Sequence, residues 1–137
     1  MKKSNIYESE PLICDVCGKN LFDDPNMSII VFIEDVDTKT FEDIKVCCKG
    51  QCDRILKSRR PKGYTDGWRE VSELINPYLL IKNIMSVLNN MQSGSMKFNE
   101  EAFKKYKDIV LKCYPYVCRD LEPKEFSAVE TDSMFPF

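Results

Sequence analysis

The chain has 137 residues, of which 43% are hydrophobic and 31% charged, and its formal net charge is −2. These values are typical of one or two small globular modules, and they exclude a disordered chain and an enzyme with separate cofactor and substrate domains. Seven cysteines and no histidine are the unusual counts: Ser–His and Cys–His nucleophiles are excluded, and any zinc site must use Cys, Asp or Glu.

The first half of the chain has the pattern of a β-hairpin between two short elements. Two runs rich in β-branched residues flank a polar turn, which is typical of antiparallel strands. A basic helix follows them and ends before Pro61. The predicted elements are a short strand ending in a tight turn (12–20), a strand (28–34), a turn (35–39), a returning strand (40–47) and a helix (51–60).

The second half is predicted to be mainly helical. Asn76 and Pro77 form a strong start signal, because Asn caps a helix and Pro suits its first position. Asn99 is a second N-cap, and Phe98 and Phe103 are spaced for a hydrophobic staple. The predicted elements are a linker (61–67), a short helix with a strand as the alternative (68–75), a long helix (77–91), a loop (92–97) and a last helix that Pro115 ends at about Tyr114.

The long helix of residues 77–91 has an unusually broad apolar face. Its apolar residues fall in two adjacent rows, and only a narrow stripe of asparagine and serine separates them on the other side. We therefore expect this helix to be buried, either within the fold or in a dimer interface. The two rows are Leu74, Tyr78, Ile81, Met85 and Leu88, and Leu80, Ile84, Val87 and Met91.

Two close pairs of cysteines are the strongest chemical signal. Cys14 and Cys17 are separated by two residues and followed by Gly18, and Cys48 and Cys52 are separated by three residues. A hairpin between the pairs would bring the four sulfurs together, and four thiolates in a tetrahedron form a closed, structural zinc site. An iron–sulfur cluster also accepts four cysteines but suits this layout less well.

This pattern resembles the treble-clef zinc fingers, in particular the TRASH- and MYM-type subgroup, over residues 12–58. In that subgroup the second half typically reads aromatic–Cys–x–x–x–Cys followed by an acidic residue, and residues 46–53 look similar, with Cys47 in the place of the aromatic residue. The resemblance implies a β-hairpin, a short helix and a structural Zn²⁺. No family is recognised for residues 64–137.

The remaining cysteines and the single tryptophan have less specific interpretations. Cys47 and Cys48 both compete for the third ligand position, and we favour Cys48 because Cys47 would point to the opposite face of its strand. Cys113 and Cys118 are expected to be thiols of the helical part rather than a second metal site. For Trp68 we expect core packing, with a role as a partner-binding anchor as the alternative.

A basic stretch follows the second cysteine pair. Residues 44–63 carry seven basic and one acidic residue, a net charge of +6, whereas residues 1–43 carry −6 and residues 64–137 carry −2. The candidate contacts for phosphate or for an acidic partner are Lys57, Arg59, Arg60 and Lys62. A solvated helix face with a basic last turn explains the same residues.

The sequence therefore predicts an α+β protein with a treble-clef zinc-binding module at residues 1–63 and a helical region with an acidic–aromatic tail at residues 64–137. We expect a non-enzymatic, cytoplasmic protein without a membrane span that acts through a protein partner or by self-association, as an interaction module or accessory regulator. Nucleic-acid binding through residues 54–62 is the alternative, and metal sensing or handling is a weaker one.

Overall fold

The computed structural model describes residues 10–118 and Lys124, and it has α+β architecture, as predicted. The acidic–aromatic tail lies outside the described residues, and the division at residue 63 stays a prediction. No helix in the described ranges combines the length and hydropathy needed to cross a bilayer. The strands are β1 (Ser28–Asp35), β2 (Thr40–Cys48), β3 (Tyr64–Glu70) and β4 (Lys97–Phe98), and the helices are α1 (Gln51–Arg59), α2 (Val71–Leu74), α3 (Pro77–Ser93) and α4 (Glu100–Cys113).

The four strands form one sheet in the order β3-β1-β2-β4. The predicted hairpin is confirmed: β1 and β2 are antiparallel, with Ser28 opposite Cys48 and Asp35 opposite Thr40. The two edge strands differ from the main expectation. β3 pairs antiparallel with β1 where the sequence indicated a linker (61–67) and a short helix with a strand as the alternative (68–75), and the helix α2 begins only at Val71. β4 pairs in parallel with the start of β2 where the sequence indicated a loop.

One face of the sheet carries the main core. Ile30 and Phe32 on β1 lie opposite Val46 and Ile44 on β2, and all four are buried. Tyr106 of α4 packs on this face, with its ring centre 6.0 Å from that of Phe32. A chain of neighbouring aromatic rings extends this contact to the sheet edge through Phe41, Phe98 and Phe103.

The predicted helix starts are confirmed by their caps. The side chain of Asn76 accepts hydrogen bonds from the backbone N–H groups of Tyr78 and Leu79, and that of Asn99 accepts one from Ala102. Phe98 and Phe103 are in contact at 5.6 Å between ring centres, as a hydrophobic staple requires. These local signals place α3 and α4 close to where the sequence indicated.

Two predictions about packing are corrected. Trp68 was expected in the core, but it lies on the edge strand β3 and is 55% exposed. Residues 12–20 were expected to contain a strand, but they form a loop closed by one isolated bridge between Ile13 and Asn20. Both differences follow from the order of the strands. β3 lies beside β1 as an edge strand, so Trp68 is on the edge of the sheet, and residues 12–20 do not take the place beside β1.

Candidate metal centre

Four cysteine sulfurs converge at one end of the β1–β2 hairpin. The Sγ atoms of Cys14, Cys17, Cys48 and Cys52 all lie within 4.8 Å of one another, and those of Cys17 and Cys48 are 3.8 Å apart. Four sulfurs held at about 2.3 Å from a central metal in a tetrahedron are about 3.8 Å from one another. The cluster therefore has the size of a single four-coordinate metal site, and all seven cysteines of the chain are free thiols.

The first pair lies in a tight turn before the hairpin. The N–H of Gly18 donates to the carbonyl of Cys14 at 3.1 Å, and Gly18 has a φ of +78°, which favours glycine. The backbone N–H groups of Val16 and Cys17 both point at Sγ of Cys14, each at 3.4 Å. Two amide dipoles are thus aimed at one sulfur, which stabilises it as a thiolate.

Asp15 fastens this turn to β2. Its backbone N–H donates to the carbonyl of Val46 at 2.8 Å, and its carboxylate accepts from the N–H of Val46 at 2.8 Å. Both backbone groups of Val46 are therefore hydrogen-bonded to Asp15, which lies 31 positions earlier in the chain. Val46 itself lies two residues before Cys48, the first cysteine of the second pair. Sequence reasoning missed the role of Asp15. The available signal was an acidic residue inside the Cys14–Cys17 turn, whose carboxylate can accept a hydrogen bond from a neighbouring backbone N–H and so hold the turn in place.

The second pair lies where β2 turns into α1. Cys48 is the last residue of β2 and Cys52 is the second residue of α1. Between them Gly50 has a φ of +82° and ψ of −111°, a conformation open essentially to glycine alone. The N–H of Lys49 donates to the carbonyl of Met27 at 2.8 Å, so this turn is held at the base of β1.

Cys47 is excluded from the cluster by the pleat of β2. It lies opposite Ile29 in the ladder and is fully buried, whereas its neighbour Cys48 is half-buried and faces the other sulfurs. Burial, together with the nearby carboxylate of Asp53, raises the pKa of the Cys47 thiol to about 12. It is a neutral core thiol at physiological pH.

The sulfurs differ in how readily they lose a proton. Burial alone would raise the pKa of Cys14, but hydrogen bonds from the backbone of Cys17, Val16 and Cys48 outweigh it and lower that pKa to about 6. Burial and a hydrogen bond with Cys17 raise the pKa of Cys48 to about 12, and burial also raises the pKa of Cys52. Without a cation the cluster keeps protons on some of its thiols, so metal binding must release them.

The four basic candidates do not form one free patch. Lys57 is paired with Asp53 at 3.4 Å, and Arg60 is paired with Asp66 of β3 at 2.5 Å in a poorly exposed contact. Arg59 and Lys62 are exposed. An open cleft of about 490 Å³ beside α1 is lined by Arg59 and Arg60, but also by Asp15, Glu42 and Asp43, so its charge is mixed.

Cys113 and Cys118 lie outside the cluster of four sulfurs. Cys113 is fully buried on α4, and burial raises the pKa of its thiol to about 12. The thiol of Cys118 donates to the carbonyl of Pro115 at 3.7 Å. Neither belongs to the group of residues that can share a metal ion among those described.

Comparison of the chain with protein-family models, with curated proteins and with solved structures finds no match. The geometry of the four sulfurs is compatible with a zinc site, and no family is shown for the chain.

Proposed function

We propose that the chain binds one structural Zn²⁺ through Cys14, Cys17, Cys48 and Cys52 and acts as a non-enzymatic, zinc-stabilised interaction module. The single observation that carries this proposal is the convergence of the four sulfurs within 4.8 Å. Thiolate sulfur in tetrahedral array is the preferred environment of Zn²⁺ in proteins. A [4Fe–4S] cluster needs each cysteine on a different iron, and a [2Fe–2S] cluster needs two cysteines on each of two irons. Either arrangement spreads the four sulfurs farther apart than the 4.8 Å found here.

The same residues support a treble-clef finger. The first two ligands come from a turn before the β1–β2 hairpin, the third from the end of β2 and the fourth from the first turn of α1. Zn²⁺ would tie two segments that are more than 30 residues apart in sequence and would add its binding free energy to that of folding. Four protein ligands leave no open coordination position for a reacting water, which favours a structural over a catalytic role.

The proposal of a non-enzymatic role rests on chemistry that the chain does not offer. It contains no histidine, so the commonest general base near neutral pH is missing. Metal sensing is a weaker proposal, because the proposed ligands Cys14 and Cys52 are buried and four protein ligands make a closed site of the structural type. Phosphate binding by the basic stretch is also weaker, since Lys57 and Arg60 already have acidic partners.

The experiment is metal analysis of the purified chain with matched cysteine variants. Native mass spectrometry and elemental analysis should find one zinc per chain, and Cys14→Ser or Cys52→Ser should lose the metal and unfold residues around it. Cys118→Ser is the control, because this half-buried thiol lies outside the cluster. A folded, metal-free protein from zinc-replete cells would contradict the proposal, as would zinc loss in Cys118→Ser alone.

A further inference from the structure

Helix α3 leaves one of its two apolar rows outside the core. Leu80 and Val87 are 3% and 4% exposed and belong to the hydrophobic core, and the Tyr106 hydroxyl donates to Asn83 at 2.6 Å. The other row is Tyr78, Ile81, Met85 and Leu88, which are 80%, 58%, 48% and 45% exposed. Leu74, which the sequence placed in the same row, lies in α2 and is buried. This row, called the α3 stripe below, lies about a third of a turn around the helix from the buried row.

The spacing of the α3 stripe is that of a helix-pairing seam. Its members follow one another at intervals of three, four and three residues, which is the a–d–a–d spacing of two heptads. Such a seam presents knobs that fit between the side chains of a second helix with the same spacing. Half-buried Ile84 borders the stripe, so the apolar surface continues from the stripe to the core.

The charge pattern selects a second copy of α3 as the partner helix. α3 contains one charged residue, Lys82, beside the stripe, and no carboxylate. The exposed side of α4, by contrast, is occupied by charged residues such as Lys104, Lys107 and Asp108. Among the helices that the structure describes, α3 itself therefore offers an uncharged apolar seam with the spacing of the α3 stripe. In a twofold pairing, the α3 stripe of one copy would pack against the same stripe of the other, with no charged side chain inside the seam.

The area of the stripe fits a reversible dimer. Its four side chains expose roughly 450 Å² per chain, so pairing would bury about 900 Å² in total before the flanking residues are added. This area is below the roughly 1,200 Å² of stable specific interfaces and is in the range of weak, transient ones. We propose that two copies of this chain associate through the α3 stripe to form a twofold dimer. Because an interface of this size belongs to the weak, transient class, the dimer should form reversibly and dissociate on dilution.

The test is the mass of the full-length, zinc-loaded chain in solution. Sedimentation equilibrium between about 1 and 200 μM, in a reducing buffer, should show a shift from the 16.0 kDa monomer to twice that mass. Ile81→Glu and Met85→Glu should each keep the chain monomeric at the highest concentration. Leu111→Glu is the matched control, because Leu111 is an equally exposed apolar residue on α4, 60% exposed, and this variant should still dimerise.

Zinc content and far-ultraviolet circular dichroism check that each variant is folded. The mass of the wild-type chain tests the proposal even if a variant fails to fold. A wild-type chain that stays monomeric at every concentration overturns the proposal. If it is monomeric and Ile81→Glu also lowers its melting temperature while Leu111→Glu does not, another segment of the same chain covers the stripe. A dimer that survives both stripe variants places the interface elsewhere and also overturns the proposal. The zinc assignment is independent of all these outcomes.

Discussion

The Asp15 carboxylate should stabilise the proposed metal centre although Asp15 is not among its four proposed ligands. Asp15→Ala removes the acceptor of the Val46 N–H at 2.8 Å and keeps the second bond, from the Asp15 N–H to the Val46 carbonyl. A hydrogen bond from a backbone amide to a carboxylate contributes about 1.5–3 kcal/mol. Because Asp15 is itself exposed and water can reach its carboxylate, we expect the lower part of this range, about 1.5–2 kcal/mol.

This loss should appear both in stability and in zinc retention. With a urea dependence of about 1–3 kcal/mol per molar for a chain of this size, Asp15→Ala should lower the urea midpoint by about 1 M. The Cys14–Cys17 turn is held against β2 by Asp15, so a looser turn should also weaken zinc binding, by about tenfold for each 1.4 kcal/mol that acts on the metal-bound state. Chelator competition on the zinc-loaded protein measures that second effect.

Two variants separate the hydrogen bond from a general effect of charge. Asp15→Asn keeps a neutral acceptor oxygen in the same place and should recover about half of the lost stability, because a neutral hydrogen bond contributes only about 0.5–1.5 kcal/mol. Asp37→Ala removes an exposed carboxylate from the β1–β2 turn, at the far end of the strands from the cysteines, and should change little. Equal urea midpoints for wild type and Asp15→Ala would refute the docking role, as would equal losses in Asp15→Ala and Asp37→Ala.

The two remaining predictions concern a glycine and an ion pair. Gly50→Ala should lower the free energy of unfolding by about 2 kcal/mol, measured by urea denaturation, because only glycine readily takes its φ of +82° and ψ of −111°. Gly94→Ala is the control: Gly94 has an ordinary left-handed conformation at the end of a helix, and its replacement should lower the free energy of unfolding by about 1 kcal/mol. Equal losses in the two variants would contradict this reasoning. Burial tends to raise the pKa of Asp43, but the hydrogen bonds from Lys105 and from the Ile44 N–H, together with the charges of Lys45 and Lys105, outweigh it and hold that pKa below the ordinary 3.8. The carboxylate therefore stabilises the fold above about pH 4, and this contribution is lost as the pH falls through the folded pKa. Asp43→Asn should therefore melt earlier than wild type at pH 6, and the difference in melting temperature should shrink as the pH falls below about 4. A difference that grows toward acid would have the wrong sign.

Local chemistry is what the sequence by itself determined. The α+β class, the β1–β2 hairpin, the caps at Asn76 and Asn99 and the staple of Phe98 and Phe103 all depend on residues within a few positions of one another. The spacing of the cysteine pairs also acts locally, because a two-residue gap and a following glycine are enough to form the turn at Gly18. Such features are encoded where they occur, and they can be predicted without knowing the rest of the fold.

The tertiary structure decided which surfaces meet. Strand β3 is built around Asp66, Gly67 and Trp68, a segment without clear strand alternation, and it is a strand because β1 offers a free edge for it. The bond from Val46 to Asp15 and the pairing of Arg60 with Asp66 also join residues that no spacing rule connects. The two apolar rows of α3 have the same periodicity, yet the fold buries one row and leaves the other exposed. Hydrophobic spacing specifies an apolar face of a helix, but it does not specify the surface that covers that face.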